Sequence, residues 1–166
     1  MIRRSAVHWL WIAAAGATTA ASGHAQAHCP WLNVATASGM LNGPAILDVQ
    51  KPSPDETVCA FRYTVQGTVY SLQIDVRLHQ DISRGLGSES SVCTSPGAAL
   101  RAIGNEANIC AEDSKSLHSD VVIGRVRDSI FRVSVSTSAR NDPAMPRDAL
   151  EQKAKDTAEQ VAGALF

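Results

Sequence analysis

The sequence predicts an α+β fold: an antiparallel sheet of about five to six strands built from two hairpins, with a long C-terminal helix and a short N-terminal helix packed on one face. Three observations support this prediction. Two stretches, 58–78 and 120–137, alternate apolar and polar residues on either side of a two-residue turn. Residues 150–165 instead repeat their apolar side chains with the period of a helix.

The first hairpin has a register that the alternation determines well. With Gln66-Gly67 as the turn, the apolar residues share one face, whereas a slip by one residue would mix the two faces. The predicted pairs on the apolar face are Tyr63 with Tyr70, Phe61 with Leu72 and Cys59 with Ile74. The opposite face would carry Arg62, Ser71, Gln73 and Asp75.

The second hairpin is predicted to turn at Asp128-Ser129. Its inner face is again apolar. The predicted pairs on that face are Val126 with Phe131, Gly124 with Val133 and Val122 with Val135. On the outer face this register sets Arg125 opposite Arg132, with Arg127 nearby.

The remaining segments are shorter. Residues 31–41 suit a short helix capped by Asn33, and residues 45–49 suit a short strand followed by a proline-containing loop over 51–56. Residues 79–97 are rich in glycine and serine and predict a surface loop. Residues 100–103 suit a turn or edge segment, Gly104-Asn105 a bend, and residues 107–111 a strand.

The final helix is expected to begin at Pro143 or Pro146, since proline is favoured in the first turn. Its apolar stripe is rich in alanine, which allows close approach to the apolar faces of both hairpins. Glu151 and Lys155 are spaced to pair on the opposite side. The stripe consists of Leu150, Ala154, Thr157, Ala158, Val161, Ala162 and Leu165.

Residues 1–27 have the pattern of a secretory signal peptide. Arg3 and Arg4 precede a short apolar run, and Ala25-Gln26-Ala27 is a small-x-small cleavage site. Cleavage after Ala25 is also acceptable. We therefore expect residues 28–166 to form a single disulfide-bonded α+β domain that is periplasmic or secreted.

The charge of residues 28–166 gives no reason to expect nucleic-acid binding. Without Arg3 and Arg4, 13 basic side chains stand against 16 acidic ones, a formal charge of about −3. No segment after the signal peptide is long and apolar enough to cross a bilayer. The partner itself is not readable from composition.

Four cysteines, an even number, remain after cleavage, and in an exported chain this predicts two disulfides. Three connectivities are possible. We favour Cys29–Cys59 with Cys93–Cys110, because each bond then closes within its own half of the chain. A cysteine metal site is the alternative, but the chain has no Cys-x-x-Cys spacing.

The order of these segments resembles small secreted or lipid-anchored bacterial domains of unknown function. Those domains carry a Gly-Leu-Gly-Asp-Glu-Ala segment where this chain has Ala102-Ile103-Gly104-Asn105-Glu106-Ala107. The resemblance implies the α+β fold and a location outside the cytoplasm, and it implies no chemistry. This chain differs in having no lipobox cysteine.

Two groups of residues are candidates for binding. Arg125, Arg127 and Arg132 on the outer face of the second hairpin could receive an anionic ligand or partner. His28, as a new N-terminal residue, would offer its amine and its imidazole to copper(II), with His79 or His118 as a second ligand. No other cofactor is indicated.

No catalytic motif is present, so the sequence favours a non-enzymatic domain that binds a ligand or partner in the cell envelope or outside the cell. The serines lie outside any Gly-x-Ser-x-Gly elbow, and the paired carboxylates lie in polar contexts. The alternatives are a copper-binding protein that uses His28 and a hydrolase with an unrecognised site.

Overall fold

A computed structural model describes residues 28–80, 86, 93–94 and 97–166. The predicted signal peptide and most of the predicted surface loop over 79–97 lie outside these residues. Neither helix in the described residues has the length and apolar character needed to span a bilayer.

In the described residues, seven antiparallel strands form one open sheet in the order β1-β2-β3-β7-β6-β5-β4. The chain therefore builds two antiparallel meanders, and β3 joins β7 at the seam between them. The elements are α1 (Val34–Met40), β1 (Ile46–Ser53), β2 (Glu56–Val65), β3 (Thr68–Arg77), β4 (Ala98–Leu100), β5 (Glu106–Ala111), β6 (His118–Val126), β7 (Ser129–Thr137) and α2 (Arg147–Leu165).

The predicted register of the first hairpin is confirmed. Gln66 and Gly67 form its turn with φ of 49° and 83°, the left-handed pair that a two-residue hairpin of the matching twist requires. The three predicted cross-strand pairs all form, from Tyr63 with Tyr70 to Cys59 with Ile74.

The predicted register of the second hairpin is wrong by two residues. The turn is Arg127-Asp128, with Arg127 at φ 55°, so that Gly124 faces Phe131 rather than Val133. The Phe131 ring fills the space above Gly124, where a Cβ would overlap the ring. A shift of two residues preserves the faces, and for this reason alternation alone could not distinguish the two registers.

The sheet also has more strands than the five to six expected. β1 continues through Lys51 to Ser53 instead of ending at Val49, and its partner β2 begins after a tight turn. The added strand is β4, which contains only Ala-Ala-Leu and pairs with β5 at the sheet edge. Three small or apolar residues carry no alternation, so only tertiary pairing makes them a strand.

Both helices pack on one face of the sheet, as predicted. The N-cap of α1 is Asn33, whose Oδ1 accepts a hydrogen bond from the Thr36 N–H at 2.8 Å. α2 begins after Pro146 and buries its predicted stripe against β6 and β7. The largest fully buried side chains of this core are Phe61, Phe131, Leu41, Leu72, Ile74, Met145 and Leu150.

The two disulfides are Cys29–Cys59 and Cys93–Cys110, as favoured from the sequence. Cys29 and Cys59 are buried in the main core, so the first bond fixes the segment before α1 to β2. The second bond lies on the opposite face of the sheet, which we call the outer face. There Leu86 and Cys93 pack against β5, β6 and β7 in a second apolar cluster.

Candidate binding trough on the outer face of the sheet

The part of the outer face beyond this second cluster holds a depression of about 420 Å³, the outer-face trough. Cavities of this size accept small ligands. Its lining residues come from β2, β3, β7 and the connection between β5 and β6. They are Arg62, Val69, Ser71, Gln73, Glu112, Ser114, Leu117, Arg132, Ser134 and Ser136.

Small polar side chains make the floor of the trough. Ser71 pairs with Ser136 and Gln73 with Ser134 across the seam between β3 and β7. Because alternate residues of a strand point to opposite faces, these four share the outer face while Leu72 and Val135 fill the core. The floor therefore presents three hydroxyls and a carboxamide, which can both donate and accept hydrogen bonds.

Arg132 borders the trough, and its positive charge is already paired with a carboxylate. One of its guanidinium nitrogens, Nη2, forms an ion pair with the carboxylate of Glu112, and Arg132 stands directly opposite Asp75 on β3. Its side chain is 25% exposed. Arg132 is thus a predicted candidate that does reach a depression, but as half of an ion pair.

Arg62 borders the trough as an exposed side chain. Among the described residues it forms no ion pair. Its direct cross-strand neighbours, Ile46 and Ser71, are uncharged. The sequence placed Arg62 on this face, but nothing in it singled Arg62 out as a binding residue.

Two apolar side chains flank the polar floor. Val69 is 36% exposed and Leu117 is 38% exposed. Leu117 belongs to the connection between β5 and β6, where the Ser114 N–H donates to the Leu117 carbonyl at 2.8 Å. The trough can therefore contact apolar as well as polar parts of a bound molecule.

The structure does not bring the three predicted arginines together. Arg125 faces Ile130 rather than Arg132 and pairs with Glu106 at 3.4 Å. The Arg127 guanidinium lies 6.0 Å from the ring centroid of Phe166. Of the three, only Arg132 lines the trough.

His28 is exposed in a shallow depression formed with the segment before α1 and Gln160 of α2. Among the described residues, no second histidine lines this depression. Instead His79 contacts Asp55 and His118 contacts Asp113. Across the described parts of the chain, no three His, Cys, Asp or Glu side chains form a group able to hold a metal ion.

A second cavity, of about 330 Å³, lies where the chain enters α2. Arg147 and Asp142 line it, but their polar atoms are already in use. The Arg147 guanidinium contacts Asp113 at 2.9 Å and Asp120 at 2.9 Å. Asp142 accepts hydrogen bonds from the Thr137 hydroxyl at 3.1 Å and the Ala144 N–H at 2.8 Å. These contacts hold the start of α2 against the sheet.

The carboxyls around this second cavity have shifted pKa values. Burial raises the pKa of Asp120 to about 6 despite the adjacent Arg147. Burial also acts on Asp113 and Asp142, but the hydrogen bonds that these two accept outweigh it and lower the pKa of each below its usual range. Tyr70 donates to Asp142, which together with burial raises the pKa of the tyrosine to about 12.

Comparison of the chain with protein-family models, with curated proteins and with solved structures found no match.

Proposed function

We propose that this chain is an exported bacterial domain, without enzymatic activity, that binds a small polar ligand in the outer-face trough. The observation that carries the proposal is the lining of the trough: three serines and a glutamine on the floor, with an arginine at each end. Such groups fix a ligand by hydrogen bonds in a depression large enough to enclose it.

The chemistry of the lining supports binding. A serine acts as a nucleophile when an adjacent base takes its proton. Glu112, the carboxylate in the lining of the trough, is instead engaged by Arg132. The hydroxyls of Ser71, Ser134 and Ser136 are thus placed to exchange hydrogen bonds with a bound molecule.

Two features support export. Disulfides persist in oxidising compartments, and the chain has two, each joining segments that are distant in sequence. The N-terminal pattern of residues 1–27 supplies the targeting signal. We expect protein recovered from outside the cytoplasm to begin at His28 or Gln26 and to contain no free thiol, which intact mass and thiol titration measure.

Binding is tested by nuclear magnetic resonance on residues 28–166 with four probes: glucuronate, methyl glucoside, acetyl-dialanine and acetyl-dialanine amide. At least one probe should shift the amide signals of β3 and β7 around Ser71 and Ser134. In the Ser134→Tyr variant, where a ring occupies the floor, these shifts should disappear.

The matched control is Ser53→Tyr, which places the same ring at an exposed position at the end of β1. This variant should bind as the unmodified chain does. The proposed site is wrong if no probe shifts the signals of the floor, or if both tyrosine variants bind equally well.

A further inference from the structure

The two arginines that border the outer-face trough differ in their electrostatic surroundings. Arg132 lies beside two carboxylates, since Glu112 pairs with it and Asp75 stands opposite. An added anion at this end would meet those negative charges. Arg132 can therefore orient a ligand through hydrogen bonds, but it offers little net positive charge.

Arg62, at the other end, carries a positive charge that no carboxylate of the described residues pairs with. The nearest carboxylate on the neighbouring strand is that of Asp48, which lies diagonally from Arg62 because it pairs with Ala60. Asp48 forms no ion pair with Arg62 in the described residues, and its Oδ2 accepts a hydrogen bond from Gln50 Nε2 at 2.9 Å. The guanidinium of Arg62 is thus available to an external carboxylate, which it can hold through two parallel hydrogen bonds.

The arrangement of the strands sets the distance between the two arginines. Arg62 on β2 and Arg132 on β7 are two strands and four residues apart in register, so their Cα atoms are separated by roughly 16 Å. The serine and glutamine floor occupies the space between them. Val69 and Leu117 add apolar contacts beside this floor.

We propose that the trough selects a small acidic molecule whose carboxylate binds Arg62 and whose hydroxyl or amide groups bind the serine and glutamine floor. This inference rests on the proposed binding function and specifies its ligand class. Both a uronic acid and a short peptide with a free C-terminal carboxylate have this chemistry.

The test compares each acid with its neutral counterpart: glucuronate with methyl glucoside, and acetyl-dialanine with acetyl-dialanine amide. We expect the unmodified chain to bind at least one acid at least tenfold more tightly than its neutral partner, because only the acid can form charge-assisted hydrogen bonds with the guanidinium of Arg62. Calorimetry measures the affinities, and the pair that shows the preference identifies the source of the carboxylate.

Three variants assign the preference to Arg62. Arg62→Gln should lose it, while Arg62→Lys, which keeps the charge, should retain part of it. Arg101→Gln removes an exposed arginine from the connection between β4 and β5 and should change nothing. Arg62 is itself exposed, so thermal denaturation should give the same Tm for Arg62→Gln as for the unmodified chain.

The possible failures are distinguishable. If acids and neutral partners shift the floor signals with equal affinity, or if Arg62→Gln keeps the preference, the acidic ligand class is wrong while the binding function stands. If none of the four probes shifts the floor signals, the proposed function is overturned and this inference with it.

Discussion

Arg147, the first residue of α2, holds the buried carboxylate of Asp120 on β6, with Nε 2.9 Å from Oδ2 and Nη2 3.0 Å from Oδ1. Asp120 is only 5% exposed. The same guanidinium also contacts Asp113 in the connection before β6. One arginine therefore fastens the start of the helix to both the sheet and a neighbouring connection.

This contact gives the first prediction, a pH-dependent effect of Asp120→Asn. Because the pKa of Asp120 in the folded chain is about 6, above its ordinary value of 3.8, the folded chain binds this proton more tightly than the unfolded chain. Asp120 should thus lower the free energy of unfolding as pH rises from about 4 to 6. Asp120→Asn removes that contribution. The free energy of unfolding of the variant, compared with that of the unmodified chain, should therefore increase as pH rises through this range.

Urea denaturation at several pH values measures the difference. The groups that face Asp120 are Arg147 and Glu151 of α2 and Asp113, and Glu151→Gln provides a control that leaves Asp120 titratable. A stability difference between Asp120→Asn and the unmodified chain that is the same at pH 4 and pH 7 would contradict the prediction.

The second prediction concerns Gly124 and Phe131. A methyl group at Gly124 would overlap the Phe131 ring, so Gly124→Ala should destabilise the chain by about 1–3 kcal/mol. Phe131→Ala alone should cost about 3–5 kcal/mol. The double variant should lose less stability than the two single variants together, since without the Phe131 ring the methyl group at position 124 no longer overlaps it. Urea denaturation of the unmodified chain, both single variants and the double variant measures this coupling.

Gly39→Ala is the matched control for this prediction. Gly39 lies within α1, and in the described part of the chain nothing beyond its immediate neighbours and its own helix backbone lies within 4 Å of where its Cβ would be. Alanine should there stabilise the helix by about 0.5–1 kcal/mol. Additive costs at Gly124 and Phe131 would refute the packing that we hold responsible for the hairpin register.

The third prediction compares the two disulfides. Cys29–Cys59, which lies in the main core, joins residues 30 positions apart in sequence, whereas Cys93–Cys110 joins residues 17 positions apart. Replacing either pair by alanine should lower the free energy of unfolding by about 2–5 kcal/mol, with the larger loss for Cys29–Cys59 because the longer loop restricts the unfolded chain more. Urea denaturation gives both values, and the reverse order would count against this account.

The fourth prediction concerns Asp142 and Tyr70. Asp142→Asn places an amide donor among groups that already donate, so it should destabilise the chain by about 1–3 kcal/mol. The pKa of Tyr70, about 12 with Asp142 as its acceptor, should fall towards 10. Ultraviolet titration of tyrosine ionisation measures the change, and Tyr70→Phe identifies the shifted step by removing it. An unchanged titration in Asp142→Asn would contradict the contact.

Local pattern was enough to predict the first hairpin and both helices, whereas the disulfides were favoured from the even cysteine count and from closure within each half of the chain. In the first hairpin, Gln66-Gly67 suits a left-handed turn and the alternation excludes a slip by one residue. In the second, two registers differing by two residues give identical faces. The fit of Phe131 over Gly124, a tertiary contact, decides between them.

The candidate site was harder to predict than the fold. Arg125 and Arg132 were candidates for an anionic ligand, but in the folded chain they pair with Glu106 of β5 and with Glu112, which follows β5. Arg62 looked no different from them in the sequence. Which arginine lacks a paired carboxylate depends on acidic residues that only the folded sheet brings near. The sequence alone therefore could not distinguish Arg62 from the others.

The seam between β3 and β7 has a consequence for how the chain reaches this structure. Its pairs run from Tyr70 with Thr137 to Arg77 with Ile130, whereas the other strand pairs in the described part of the chain join consecutive strands. Closing contacts so distant in sequence costs more chain entropy than closing a hairpin. The two meanders should therefore form first and dock late, so that the trough floor, which spans the seam, is completed only in the last step of folding.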